Sequence, residues 1–344
     1  MSLRARAIRL AAGIALLAMG FGAADVLAAS TASAKGWTIT LLPGIGNDSA
    51  IARAVNDRGD IVGESSPVDP STGLSAPPRA TLWVNGVPQD LGNGEAFDVN
   101  ARGTIAGTHF PGGESLWEDG QWHALGVGTP GFPLFVNKFD LVASSFPFVG
   151  GVPHAFTFSS GGVLTDLGTL GGTESQSLAI NDHGAVVGYS QTAGNAALHP
   201  FLYDNGVMTD LGTMGHQQGK AVAINSHGVV VGYVSDQFDG APVAFIDDGA
   251  MRPLIPGGGC CSVALGINDH GDAVGVMNGL SGFLLQDGTL TMVDQIPAVR
   301  AAGWTRLLPE AINNRGWIVG MGLIGGPVPA GRIPWRAFLL KPDR

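Results

Sequence analysis

The sequence predicts an all-β fold, a seven-bladed β-propeller of four-stranded antiparallel blades, and three observations predict it. A strand-turn-strand core, an apolar run, then Asn-x-x-Gly, then an apolar run, recurs at Asn56, Asn100, Asn137, Asn181, Asn225, Asn268 and Asn313. The steps are 44, 37, 44, 44, 43 and 45 residues, the range of propeller blades. Two-residue alternation replaces helical spacing throughout. Glycine accounts for 54 of 344 residues, about twice ordinary usage, which indicates many tight turns.

The first 34 residues are read as a secretory signal and not as part of the fold. Arg4, Arg6 and Arg9 precede the apolar run AAGIALLAMGFG, and small residues offer cleavage after Ala28 or Ala34. Residues 35–344 then form one propeller domain, secreted or periplasmic, with no transmembrane span after cleavage and a monomeric state expected. The net charge of −10 argues against nucleic acid and against anionic lipid surfaces. Cys260 and Cys261 are adjacent, so they cannot staple distant segments; they are expected as two small side chains at a strand start, with a vicinal disulfide as the alternative.

Each repeat is read from its innermost strand outward. The residue before the asparagine is always Val or Ile, and the residue four before it is small or proline (Ala52, Ala96, Pro133, Ser177, Ala221, Ala264, Pro309). Such a strand has one bulky and one nearly bare face, as expected where sheets crowd near an axis. The asparagine caps the turn and glycine takes its exit: Gly59, Gly103, Gly184, Gly228, Gly271 and Gly316, with Asp140 in the third copy. The second strand is read as ending at Gly63, Gly107, Gly188, Gly232, Gly275 or Gly320. The third carries Trp83, Trp117, Phe156, Phe201, Phe245, Phe283 or Phe338 and leads through pairs such as Asn85-Gly86 and Asp119-Gly120 into the fourth. The last copy lacks its fourth strand, and WTITLLPG (37–44) is a surplus strand at the other end. Pairing the two closes a ring and removes exposed sheet edges.

DLGTLGGTESQSLAINDHGAVVGYS in the fourth copy and HPFLYDNGVMTDLGTMG after it resemble the HAF repeat family of bacterial exported proteins. The resemblance covers nearly all of the mature chain. It implies an extracytoplasmic repeat protein and supplies no catalytic residues.

Nucleophile-elbow, zinc-protease and EF-hand patterns are missing. No metal or cofactor is expected. His183, His227 and His270 share one turn position but stand on successive repeats, too widely spaced for shared coordination, so they are read as exposed turn residues. Arg53 and Glu310 are charged in an otherwise apolar column, three before the asparagine, and an ion pair is expected between them across the seam. Loops joining second to third strands and fourth to first strands share one face, where recognition concentrates. That face gathers Glu64, Asp69, His109, Glu114, Glu174, Gln176, His199, His216, Gln218, Lys220, Asp236 and Asp239 as ligand-site candidates. The leading expectation is a binding or scaffold module for an extracellular glycan, peptide or envelope protein. The alternative is a propeller-fold hydrolase or lyase acting on an extracellular polymer, with Asp98 and Glu310 as the exceptional inner-strand carboxylates.

Overall fold

The structure, a computed structural model, describes residues 31–34, 36–47, 49–66, 77–127, 132–147, 151–236, 240–257, 260–325 and 335–343. The expected signal region up to residue 30, with the Ala28 cleavage point, lies outside the described residues, as do Asp69 and Asp239.

The chain is all-β and propeller-like. Its one α-helix among the described residues is the single turn Pro297–Ala301, inserted before the last repeat and not foreseen from the sequence. Four-stranded antiparallel sheets follow one another in strict sequence order from Phe135 to Met292. The first two repeats share one seven-stranded sheet, because Val87–Val99 is a single long strand. Its first half pairs back to Arg79–Val84 and its second half forward to Ile105–His109.

The early and the last described strands lie side by side. Trp37–Leu42 runs antiparallel to Arg336–Pro342, with Leu41 opposite Phe338, and Thr31–Ala34 adds a further edge strand. No helix among the described residues is long and apolar enough to cross a membrane.

The core lies between consecutive sheets. Phe201 of one sheet packs with Ala143, Ala155 and Leu167 of the preceding one, and the pattern repeats with Phe245 and Phe283. Phe156, Phe201, Phe245, Phe283 and Phe338 are all at most 2% exposed, and burying such a ring is worth roughly 2 kcal/mol. The third-strand aromatics are thus the wedges between sheets.

Two features of the repeat differ from the sequence reading. The second strand runs on past its glycine, as in Ile61–Ser66 past Gly63 and Val230–Ser235 past Gly232. The glycine meets another need. Opposite it the inner strand carries a β-bulge, between Ala52 and Ala54 or Ala221 and Ala223, and a Cβ at Gly63 or Gly232 would collide with the Ile51 or Lys220 carbonyl. In the third repeat Asp140 itself takes the left-handed position, at φ 59°, where its six counterparts, such as Gly103 and Gly184, are glycine.

Candidate functional site

The inner strands have two ends, and they differ in chemistry. At the turn end, each repeat asparagine folds its own turn and reaches into the next repeat. The Asn181 Oδ1 accepts from the backbone of His183 and Ala185, while its Nδ2 donates to the Asn225 carbonyl at 3.1 Å. The same Nδ2 bond runs from Asn56 to Asn100, Asn100 to Asn137, Asn137 to Asn181, Asn225 to Asn268, Asn268 to Asn313, and Asn313 to Asn56. These asparagines line a cavity of about 230 Å³ together with Asp57, Asp98, Asp182 and Asp269.

The carboxylates there are occupied. Asp57 accepts from Asn314 backbone and side chain, Asp269 from Ser226 and Asn314, and Asp182 from Lys138. Asp98 is pushed up by burial, offset by the Val136 and Val99 amides at 2.9 and 2.8 Å, with Asp182 adding a further upward influence. His183, His227 and His270 stand exposed on separate turns. Among the described residues no group of three or more His, Cys, Asp or Glu could hold a metal ion.

At the loop end the charges are incompletely satisfied. The bulge places one extra residue on the inner strand of every repeat but the third, and in four repeats it is apolar: Phe97, Leu178, Val222 and Leu265. In the first repeat it is Arg53 and in the last Glu310. Bulges re-aim side chains, and here they aim two opposite charges into one neighbourhood. The Arg53 guanidinium also lies over the Phe97 ring of the second repeat, 5.8 Å from its centroid.

The expected Arg53–Glu310 ion pair is not what forms. Arg53 Nη2 instead meets Glu64 Oε1 at 3.1 Å, because Glu64 sits opposite Ile51 on the adjoining strand of the same sheet and is the nearer carboxylate. Arg53 Nε and Glu64 Oε2 are left buried without partners. Burial pulls the Arg53 guanidinium down, but Glu64, Glu310 and Glu95 outweigh it and hold it above its ordinary value. Its side chain is 26% exposed.

Glu310 is pushed up to about 7, by burial first; Arg53 pulls it back and Glu64 pushes it further up. Two carboxylates of unlike character therefore flank one arginine. Glu64 is tied to it by a direct ion pair, and Glu310 is raised to about 7. A carboxyl raised in this way beside a second carboxylate is a candidate general acid.

The loop-face candidates divide among several places. Glu64 joins Arg53. Glu174, Gln176 and Lys220 come together on two adjacent repeats: Gln176 Nε2 donates to Glu174 Oε1 at 2.9 Å, and Lys220 feels Glu174. His109 stacks on Trp122, with ring centroids 5.8 Å apart. Glu114 is buried and raised by that burial. His199 is bound to Asp210 at 2.8 Å and His216 to Asp236 at 2.9 Å, two separate pairs outside the inner strands. Gln218 Nε2 reaches Ser235 Oγ at 3.5 Å. Tyr189 and Tyr233, beside Lys220, escape the sequence reading; their only signal is a shared column immediately after Gly188 and Gly232. Cys260 and Cys261 are free thiols with Sγ atoms 2.9 Å apart.

No family model and no curated protein matches the chain. Among solved structures, it is similar to one whose assignment as a gluconolactonase is provisional, at 12% identity and TM-score 0.41, over 71% of this chain and 86% of that one. It is also similar to a gluconolactonase from Xanthomonas campestris, at 12% identity and TM-score 0.43, over 94% of this chain and 100% of that one. Both neighbours are described as gluconolactonases, which belong with the hydrolase alternative and not with the non-catalytic binding or scaffold module first expected. At these scores the likeness assigns no substrate and no residue to this chain.

Proposed function

We propose that the chain is an exported hydrolase acting on an extracellular polymer, built on a closed seven-bladed propeller and working at the loop end of its inner strands. The circuit of seven asparagine bonds and the pairing of Trp37–Leu42 with Arg336–Pro342 support the closed ring. The Arg-rich and then apolar N-terminus supports export, in keeping with the HAF-like repeat.

One observation carries the activity: Glu310, titrating near 7, beside a Glu64 carboxylate tied to Arg53 with buried atoms left unpartnered. Such a cluster is a poor device for stability, since desolvated charges with unfilled hydrogen bonds cost free energy. It is a good device for hydrolysis. Protonated Glu310 donates its proton to the leaving oxygen as the bond to it breaks. Glu64, ion-paired to Arg53, takes a proton from the attacking water, so that one water is added across the bond.

A screen of the mature protein against polysaccharide and ester polymers tests the proposal. On whichever polymer is cleaved, Glu310→Gln is expected to lower kcat by at least about a hundredfold, the ordinary contribution of a positioned acid, with the melting temperature not reduced. Wild-type turnover is expected to fall as pH rises through about 7. Cleavage that survives Glu310→Gln, or products that are unsaturated and not hydrated, would overturn it.

A further inference from the structure

Lys220 is the residue at the loop end that the hydrolytic step does not use. It lies five residues before Asn225, on the strand Gln218–Ile224, at the same level as Gln176 of the preceding repeat. Its Nζ rests over the Tyr189 ring, 4.2 Å from the centroid, and among the described residues it makes no ion pair and no hydrogen bond. Tyr233 is its direct neighbour across the sheet. The Tyr189 and Tyr233 hydroxyls likewise have no hydrogen-bond partner among the described residues. Burial pushes both phenols above their ordinary range, so they stay protonated and can only gain by donating.

The nearest carboxylate does not fill this gap. Glu174 lies close enough to offset part of the downward pull of burial on Lys220, yet its Oε1 is taken by Gln176 at 2.9 Å and it does not reach the ammonium. Lys220 therefore sits between the Tyr189 ring and Tyr233, beside a carboxylate whose Oε1 is already engaged. In a chain with 28 carboxylates and 18 basic residues, an inner-strand ammonium without a direct ion pair calls for a ligand.

We propose that Lys220, with the Tyr189 and Tyr233 hydroxyls, is a specificity site of the hydrolase and holds an oxyanion carried by the polymer, a carboxylate or a sulfate. The inference rests on the hydrolase reading for its role, although the binding itself does not require turnover. The exterior of a protein this acidic repels free polyanions. A preference for an acidic chain over its neutral counterpart must then come from these local donors.

The test is binding, read by calorimetry at fixed ionic strength in the Glu310→Gln background so that no ligand is consumed. Oligogalacturonate supplies the carboxylate, a sulfated galactan oligomer the sulfate, and methyl-esterified oligogalacturonate the neutral control. The background protein is expected to bind one of the two acidic oligomers more tightly than the ester. Adding Lys220→Met is expected to weaken that oligomer by at least about tenfold, as loss of a charged hydrogen bond does, and to leave the ester unchanged. Lys220→Arg should retain the preference. Equal affinity of acid and ester in the background protein, or an acid affinity untouched by Lys220→Met in a variant that melts normally, overturns the proposal. A wild type that cleaves nothing yet prefers the acid through Lys220 would sink the hydrolase and leave the oxyanion site standing.

Discussion

The two ends of the inner strands use the same backbone and opposite chemistry. At the turn end the polar groups are paired: the asparagine amides cap their own turns and bridge to the next repeat, and Asp57, Asp182 and Asp269 accept from neighbouring turns. At the loop end Arg53 Nε and Glu64 Oε2 are buried and unpartnered, Glu310 titrates near 7, and Lys220 makes no direct ion pair among the described residues. A satisfied buried network rigidifies, and a half-satisfied one is unstable unless it is used. The turn end holds the repeats together. The loop end is where the molecule forgoes stability for chemistry.

Breaking the turn end should give the largest change in stability. Asn313 ties the last repeat to the first through its Nδ2 on the Asn56 carbonyl at 2.8 Å, and its Oδ1 accepts from the Arg315 and Trp317 amides. Its residue is 5% exposed, so the bonds are not replaced by water. Asn313→Ala is expected to destabilise by about 4 kcal/mol, about 1 kcal/mol or slightly more for each lost or orphaned partner. Urea unfolding followed by tryptophan fluorescence reads this directly. A change below about 1 kcal/mol would mean that the circuit is decoration and that packing of rings such as Phe338 alone closes the fold.

The turn end was legible in the sequence for the same reason that it is repetitive. An Asx turn needs one side chain at one position, so the asparagine column announces both the turn and its count. The terminal pairing followed from counting hairpins. The loop end was legible only where it broke a column: Arg53 and Glu310 stood out in an apolar series. Their shared cause, a bulge opposite the second-strand glycine, was hidden, because a glycine within a strand reads equally well as a strand end. The choice of Glu64 over Glu310 as the partner of Arg53 depends on which carboxylate lies on the adjoining strand of the same sheet, and no single-sequence pattern encodes that distance. Tyr189 and Tyr233 were missed because tyrosine in a strand needs no explanation until its hydroxyl is found without a partner.

The pH dependence of stability sharpens the contrast, with a somewhat smaller effect. The Glu310 carboxyl is raised in the folded protein to about 7 from an ordinary value of 4.5. The folded state therefore binds the proton more tightly than the unfolded chain. The associated stability is fully present below about pH 4.5 and is lost as pH rises through 7, by up to about 3 kcal/mol in all. Glu310→Gln carries no titrating proton, so the mutant should lose less stability than the wild type between pH 5 and pH 8. Parallel urea-stability profiles for the two proteins would show that Glu310 is not shifted and would remove the basis for its role as an acid.

The smallest effect is expected at a residue that the sequence placed in the site and the structure does not. His199 Nδ1 binds Asp210 across Leu198–Asp204 and Val207–Asp210, the third and fourth strands of its repeat, away from the inner strands. The His154–Asp166 pair repeats the arrangement one sheet earlier, and Arg79–Asp90 does so in the first repeat. A motif that recurs at the same strand pair with either His or Arg serves the sheet edge, where an exposed pair is worth at most about 0.5 kcal/mol. His199→Gln should therefore change urea stability by no more than that and leave both turnover and oxyanion binding at wild-type levels. A tenfold loss of turnover in His199→Gln with stability intact would move the working site from the inner strands to the sheet edge and reverse the contrast between the two ends.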